Sequence, residues 1–424
     1  MIWVAPGFRE IINDSTTDGL CEVIDRMPAF IGLQVDARAV LAGTRLAIAG
    51  VGSVGARVAE HAARCRIGEI DLIDPKPFTA NFDTQAIRLP SDIGQPKAGV
   101  VGRWIKTISP GSTVRVFDGP VQALSWLDLD RYDIVIASTD NLQVEVYLGA
   151  MCLALGKPLL YAAVHGPTLC CQLRVFLNRD SDSPCPFCGF NRVEREQLSN
   201  GVRFSCGPDA NPGADPQGAI DGPPTVSVSP LCSLAADAAM LELLRLTLGL
   251  GPQPTDCLRE LNGYGATAMT MPLTRNAACP VDHAILDRVR LDQPLGECSL
   301  RDCAKAAGVT GDEGIARASF AVDDCLFARV VTCGACGASQ EHNRFMDRRE
   351  PPLSLACRAC GHKGLSPHPF FSHDRLIPAK TGGLLPYLDG SLRALGADGR
   401  GVVVRHGGQA VLVQSNPDDE GSTT

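Results

Sequence analysis

Aromatic side chains make up only 5% of the 424 residues, with 3 Trp and 5 Tyr, which leaves little material for a base-stacking surface. The net charge is −8 and no dense Lys/Arg run occurs, so the electrostatic footprint of a nucleic-acid binder is missing as well. A long apolar run is also lacking. The longest, Tyr147 to Cys171, is broken by Lys157, Pro158, His165 and Pro167, so no membrane span is expected. The opening residues MIWVAPGFRE carry neither the basic stretch nor the apolar core of a secretory leader, which points to the cytoplasm. What is present suits a packed protein. Hydrophobic residues are 45% and charged residues 20% of the chain, and its length fits two or three domains.

Eighteen cysteines in a cytoplasmic chain call for metal or catalytic chemistry rather than disulfides. Four of them form Cys333-x2-Cys336-x20-Cys357-x2-Cys360, with Gly337 and Gly361 following the pairs. That is zinc-ribbon spacing, with glycines where tight turns bring N–H groups to sulfur. Cys185-Pro-Phe-Cys188 and Cys279-Pro-Val-Asp-His283 stand farther upstream. Most of the scattered cysteines, Cys232 among them, read as small buried hydrophobes.

The order of elements predicts an α/β protein with a Rossmann-like, mostly parallel sheet and crossover helices. RLAIAG (45–50), EIDLID (69–74), TVRVF (113–117), YDIVIAS (132–138) and PLLYAAV (158–164) read as strands. Helical patterns over 53–66, 97–108 and 143–155 alternate with them, and 231–249 is the clearest helix. Residues 1–43 look like a helical lead-in, and 44–283 form the main domain with a polar crossover loop at 191–224. Residues 284–415 form a β-rich C-terminal region holding the ribbon at 331–365, with VVVRHGGQAVLV as a hairpin candidate, and 416–424 form a disordered tail. Gly50-Val-Gly52-Ser-Val-Gly55 follows the first of these strands and opens a helix. Asp74 ends the next strand 19 residues after Gly55. Glycines there permit a tight turn and close phosphate approach, and the acid suits a ribose hydroxyl. The loop alone fits NAD, FAD or ATP.

The residues that follow narrow the choice. Asp74, Asn81, Gln85, Pro96-Lys97 and Thr139-Asp140-Asn141 occur in that order. With the glycine loop, this set resembles the adenylyltransferases that activate ubiquitin-like proteins: the ubiquitin-activating (E1) enzymes and their bacterial thiamine and molybdenum-cofactor relatives. The resemblance covers roughly residues 25–283. It implies ATP as the nucleotide, Lys97 on phosphate oxygens, Asp140 on Mg2+, and Asn81 with Gln85 orienting phosphates. One position departs from the pattern. Thr84 stands where the family has arginine, with Arg88 one helical turn on as the candidate replacement. Arg26 is the positional match for an arginine that the family donates across a homodimer to the γ-phosphate.

The same resemblance implies a tetrahedral zinc on Cys185, Cys188 and Cys279. Asp282 stands in the place of the family's fourth cysteine and His283 is adjacent; His283 is the preferred ligand, because Cys3His zinc is ordinary and Cys3Asp is not. With the ribbon this makes two zinc ions per chain. Cys206, in the crossover loop, matches the family's reactive cysteine by position, and an exposed loop thiol suits acyl exchange. The implied activity is adenylation of the C-terminal glycine of a ubiquitin-like carrier protein, then a thioester on Cys206 and transfer to an E2-like protein, as in bacterial conjugation operons linked to phage defence. The alternatives are adenylation for sulfur transfer of the thiamine or molybdopterin type, and an inactive zinc-stapled scaffold, for which Thr84 speaks.

Overall fold

A computed structural model describes residues 7–11, 28, 30–31, 33, 35–82, 84–85, 89–199, 226–323, 325–347, 355–368, 372–373, 375–380, 388–397 and 401–415. The chain divides into two compact units. The first comprises 1–122 and 128–283, and the second 123–127 and 284–424.

The first unit is built on a nine-stranded sheet. Its elements are β1 (Arg9–Glu10), α1 (Ala37–Ala42), β2 (Arg45–Ala49), α2 (Gly55–Arg64), β3 (Glu69–Ile73), α3 (Lys97–Ile108), β4 (Thr113–Phe117), α4 (Trp126–Asp130), β5 (Ile134–Ala137), α5 (Leu142–Ala154), β6 (Leu159–His165), β7 (Cys170–Phe176), α6 (Arg192–Ser199), α7 (Ser229–Leu248), β8 (Cys257–Asn262) and β9 (Thr267–Pro272). The strand order is β1-β4-β3-β2-β5-β6-β7-β8-β9. Strands β4, β3, β2, β5 and β6 run parallel, and β7 to β9 extend the sheet antiparallel. The apolar runs of β2, β3 and β5 are buried throughout their centres, as strands covered on both faces must be. Helix α2 lays Ala56, Val58, Ala59, Ala62 and Ala63 into the core and packs between α3 and α7. Its small residues let the helix approach the sheet closely. Within the described part of 1–43, the expected helical lead-in is helix only over Ala37–Ala42. Arg9–Glu10 instead add a short antiparallel strand to the edge at β4, where they gain backbone partners that a helix would not have offered.

A buried ion pair lies within this core. Asp71, in the middle of β3, is fully buried and accepts from Arg115 Nε at 2.9 Å, Arg115 Nη2 at 2.7 Å and the Tyr132 hydroxyl at 2.6 Å. Burial pushes its carboxyl above the usual range, while the arginine and the phenol pull it back.

In the second unit, β10 (Asp287–Leu291), α8 (Leu300–Ala306), α9 (Asp312–Arg317), β11 (Ser319–Val322), β12 (Cys325–Cys333), β13 (Ser339–Asp347), β14 (Leu365–Pro367), β15 (Ser372–His373), β16 (Val402–His406) and β17 (Gln409–Ser415) form two four-stranded sheets. One has the order β10-β17-β16-β11. In the other, β12 pairs β13, β14 and β15. Gly407 and Gly408, both at positive φ, turn β16 into β17, as the Gly-Gly pair between two apolar runs requires. Asp323 accepts the backbone N–H groups of Trp126 at 2.8 Å and Leu127 at 3.2 Å, which fastens the 123–127 segment into this unit. The architecture is an α/β Rossmann-like sheet plus a C-terminal β region with a four-cysteine cluster. Among the described residues, no helix is long and apolar enough to cross a membrane.

Candidate nucleotide site and metal clusters

The parallel strands reverse their order between β2 and β5, and in such sheets the crevice at the carboxyl ends of the two strands is where ligands bind. The glycine loop leaves β2 there and Thr139-Asp140-Asn141 leave β5. Gly50 has φ +86°, and a Cβ on it would lie 2.8 Å from the Ser138 carbonyl oxygen. A Cβ on Gly55 would lie 1.8 Å from the Gly50 oxygen. Both glycines are therefore required by the turn itself. Gly52 differs, because a Cβ there would meet nothing within 4 Å. Its missing side chain opens space over the loop rather than inside it, which suits close approach of a phosphate. No side chain caps the N-terminus of α2, so its first N–H groups suit an anion.

Asp74 fixes this loop from below. Its Oδ2 accepts the Val51 N–H at 2.7 Å and its Oδ1 accepts the Lys76 N–H at 2.9 Å. A carboxylate retains further lone pairs after two such bonds, enough for a ribose hydroxyl. Past Asp74, the described residues between 79 and 85 hold together as a compact turn. Asn81 Oδ1 accepts the Thr84 N–H at 3.2 Å, and Gln85 Nε2 donates to Thr79 Oγ1 at 3.1 Å while its Oε1 accepts the Thr79 N–H at 3.3 Å. Asn81 and Gln85 thus shape the turn with the same groups that were expected to orient phosphates. Thr84 and Gln85 are both buried.

Lys97 opens α3 and its N–H bonds the Lys76 carbonyl at 3.2 Å, tying it to the same loop. The residue is 7% exposed overall, its ammonium keeps solvent access, and among the described residues it has no carboxylate partner, so it is free to meet an anionic ligand. Asn141 is the N-cap of α5, its Oδ1 accepting the Gln143 N–H at 2.8 Å and the Val144 N–H at 3.4 Å. Asp140 sits between that cap and Thr139, whose carbonyl accepts the Tyr161 hydroxyl. Burial raises the Tyr161 phenol, which keeps it protonated and a donor. The Arg174 guanidinium lies 4.6 Å over the Tyr161 ring and pairs with buried Glu145. Tyr161 and Arg174 were not legible as site residues, because each reads as an ordinary strand position. Cys206, Arg26 and Arg88 lie outside the described residues.

Two side-chain clusters are able to hold a metal. In the first unit, the ligand atoms of Cys185, Cys188, Cys279 and His283 all lie within 4.8 Å of one another. Cys185 Sγ is 3.8 Å from Cys188 Sγ and 3.6 Å from Cys279 Sγ, and Cys188 Sγ is 3.6 Å from His283 Nε2. Zinc–ligand lengths of about 2.3 Å to sulfur and about 2.0 Å to nitrogen, at tetrahedral angles, require ~3.8 Å between sulfurs and ~3.6 Å between sulfur and nitrogen. The fit is close. His283 Nδ1 lies 2.9 Å from the Ser183 carbonyl, which takes its proton and leaves the Nε2 lone pair facing the sulfurs. Asp282 falls outside the cluster.

In the second unit, Cys333 Sγ is 3.7 Å from Cys360 Sγ, and Cys336 Sγ is 3.7 Å from Cys357 Sγ. Gly337 and Gly361, both at φ +72°, close equivalent knuckles by donating to the Cys333 and Cys357 carbonyls at 2.9 and 2.8 Å. Backbone N–H groups of Cys360 and Ala359 stabilise the Cys357 thiolate and hold that thiol down at about 7. Bound metal in either cluster would act as a cross-link, since four protein ligands leave no open position for chemistry.

Glycine loop, acidic strand end and switch-point crevice together define a nucleotide-binding α/β protein. The model of the ThiF family matches residues 25–281, and the chain belongs to this family of E1-like adenylyltransferases. It is 24% identical over 246 residues to the sulfur carrier protein adenylyltransferase of Thermus thermophilus, covering 55% of this chain and 80% of that protein. Over 261 residues it is 28% identical to the molybdopterin-synthase adenylyltransferase of Escherichia coli, covering 59% and 91%. The SAMP-activating enzyme E1 of Haloferax volcanii is 24% identical over 127 residues, 30% of this chain and 47% of that one. Several other curated relatives are spanned for less than half of their length. Among solved structures, MccB of E. coli with ATP overlays at a TM-score of 0.45 and 18% identity, covering 58% of this chain and 68% of that one.

Proposed function

We propose that the chain adenylates the C-terminal carboxylate of a ubiquitin-like sulfur-carrier protein at the expense of ATP. The observation that carries this reading is the crevice at the β2/β5 switch point. There the open Gly52 cradle, Asp74 and Asp140 gather on strand ends, with Lys97, which has no carboxylate partner among the described residues, tied to the loop that follows Asp74.

The chemistry asks for little beyond placement. An ionised carboxylate attacks the α-phosphorus in line, the bond to the bridging oxygen breaks, and pyrophosphate leaves with that electron pair. No general base is needed, because the nucleophile carries no proton to remove. Positioning and charge neutralisation dominate. Asp74 binds the ribose, the N-terminus of α2 and Lys97 meet phosphate oxygens, and Asp140 holds Mg2+, which would supply further neutralisation. Tyr161 and the Asn141 cap fix the backbone on either side of Asp140.

For the fate of the adenylate, the names of the relatives favour sulfur transfer over conjugation. The sulfur carrier and molybdopterin-synthase enzymes are matched over most of their lengths. The second reading keeps Cys206 as an acyl acceptor that passes the carrier to an E2-like protein. The phage-defence setting finds no support among these relatives.

ATP–pyrophosphate exchange tests the proposal, assayed with each ubiquitin-fold protein ending in glycine from the same genome. Exchange should depend on the carrier and vanish in Lys97→Ala and in Asp140→Ala. An inactive scaffold shows no exchange in the wild-type protein. Wild-type exchange in either variant would show that the phosphate site is misplaced. A thiol-labile carrier adduct lost in Cys206→Ala would shift the reading to conjugation.

A further inference from the structure

Arg57 lies in the first turn of α2 and takes no part in the site as described so far. Its guanidinium nevertheless joins three separate stretches of chain. Nη1 donates to the Ser53 carbonyl in the glycine loop and to the Thr84 carbonyl at 3.1 Å. Nη2 donates to Ser229 Oγ, at the start of α7, at 2.7 Å. The three acceptors come from positions 53, 84 and 229, so no local sequence signal marks their meeting.

The placement matters because one of the three stretches is the glycine loop, which lies at the crevice with its Gly52 side open and with the uncapped N–H groups of α2 beside it. Arg57 ties the other two stretches to that loop. The 79–85 turn is linked back to the loop that Asp74 and Lys97 share, through the Phe78 N–H to the Gln95 carbonyl at 2.9 Å and the Lys97 N–H to the Lys76 carbonyl at 3.2 Å. The turn holds itself together through Asn81 and Gln85, and Arg57 bonds both the turn and the glycine loop. A planar guanidinium with forked donors can bridge acceptors in this way, whereas an ammonium on a flexible stem cannot hold all three in register.

We infer that Arg57 is a positioning residue for the nucleotide's phosphates, setting the 79–85 turn and the start of α7 against the glycine loop. This rests on the nucleotide reading of the crevice. Arg57 acts through the main chain it holds, so its loss should be felt at the phosphates and not at the nucleoside, which depends on Asp74.

The test is ATP binding by calorimetry, with adenosine measured by displacement, on the full chain. Arg57→Ala should weaken ATP about tenfold, the size of one lost charge-assisted hydrogen bond, and leave adenosine within about twofold. Arg57→Lys should fall between wild type and Arg57→Ala, since it keeps the charge without the fork. Unchanged ATP affinity in Arg57→Ala overturns the inference. So does an equal loss for ATP and adenosine, which would mark general damage to the fold. If Arg57→Ala does not fold, the Arg57→Lys comparison decides by the same split between ATP and adenosine. A wild-type chain that binds no ATP would overturn the proposed function, and this inference with it.

Discussion

Removing the metal from the cysteine ribbon should melt the ribbon and spare the sheet beside it. The two parts of the second unit differ sharply in what holds them. Among the described residues, the buried cluster around β10, β11, β16 and β17 includes Leu295, Phe320, Leu388, Val402 and Val413 within a set of 22, and it takes in Phe327 and Phe345 at the ends of β12 and β13 away from the knuckles. The ribbon's cluster has six among the described residues: Ala328, Val331, Cys333, Met346, Cys357 and Leu365. Two of those six are the cysteines themselves. So small an apolar core does not offset the ordering of two knuckles and their strands. A structural zinc, whose apparent binding free energy in zinc-finger peptides is about 10–16 kcal/mol, does. Cys360→Ser should therefore lower zinc from two equivalents to one. Hydrogen exchange then reads the consequence residue by residue. The knuckle amides of Cys333, Gly337, Cys357 and Gly361, which bond to backbone carbonyls at 2.8–2.9 Å, should lose at least about a hundredfold in protection, or ~3 kcal/mol. The amides pairing β16 with β17 should be unaffected. Knuckle protection that survives metal loss would refute the reasoning, because the six-residue cluster would then suffice alone.

His283→Ala should remove the other zinc equivalent and Asp282→Ala should not, as read by metal content, since Nε2 of His283 is the nitrogen facing the three sulfurs. Asp71→Asn should cost about 3 kcal/mol in denaturant unfolding of the first unit, because buried Arg115 would lose its buried partner and keep only the part-exposed Glu69, at 3.1 Å, as counter-charge. Replacing both residues by apolar ones of similar volume should cost less. Asp302 closes a capping box at the start of α8, where the Ser299 hydroxyl and then the Ser299 N–H hold its carboxyl below the ordinary range. The folded value is depressed, so this contribution is full above pH ~4 and is lost as pH falls through the lowered value. Asp302→Asn should cost about 1 kcal/mol at pH 7 and flatten that acid limb.

The parts of the fold that were legible are those with a local signature. Buried strands such as RLAIA and IVIA read as apolar runs, the glycine loop carries its own spacing, and the Gly407-Gly408 pair announces its hairpin. The antiparallel strands β8 and β9 were not legible. Thr267–Pro272 is exposed at every position, so no buried face imprints an alternation on it. The 123–127 segment is a five-residue stretch whose partner, Asp323, lies two hundred residues on, beyond any local pattern. In the site, residue types whose chemistry needs a fixed spacing stood out, as the cysteine pairs did. Donor chemistry already preferred His283 to its neighbour Asp282, and the backbone agrees by turning His283 Nε2 toward the sulfurs. Arg57 escaped notice because a long side chain acts far from where it is anchored.

The pairing of β10 with β17 constrains when the second unit can exist. β17 is the last strand described, and it lies parallel against the unit's first strand, with Asp287 to Leu291 in register with Val411 to Ser415. During synthesis, β10 emerges more than a hundred residues before its neighbour does. Until then the sheet is missing its second strand from that edge, and β11 has no β16 to pair with either. A chain stopped short of residue 402 therefore carries an unfinished unit rather than a smaller one, and closure waits for a contact of high sequence separation, a slow step in any fold. The ribbon is free of this wait, since all four of its thiols are synthesised by residue 360, well before β16, and metal can gather them first. Metal capture early and sheet closure late would let a segment set between β11 and β16 fold before the sheet whose first strands precede it.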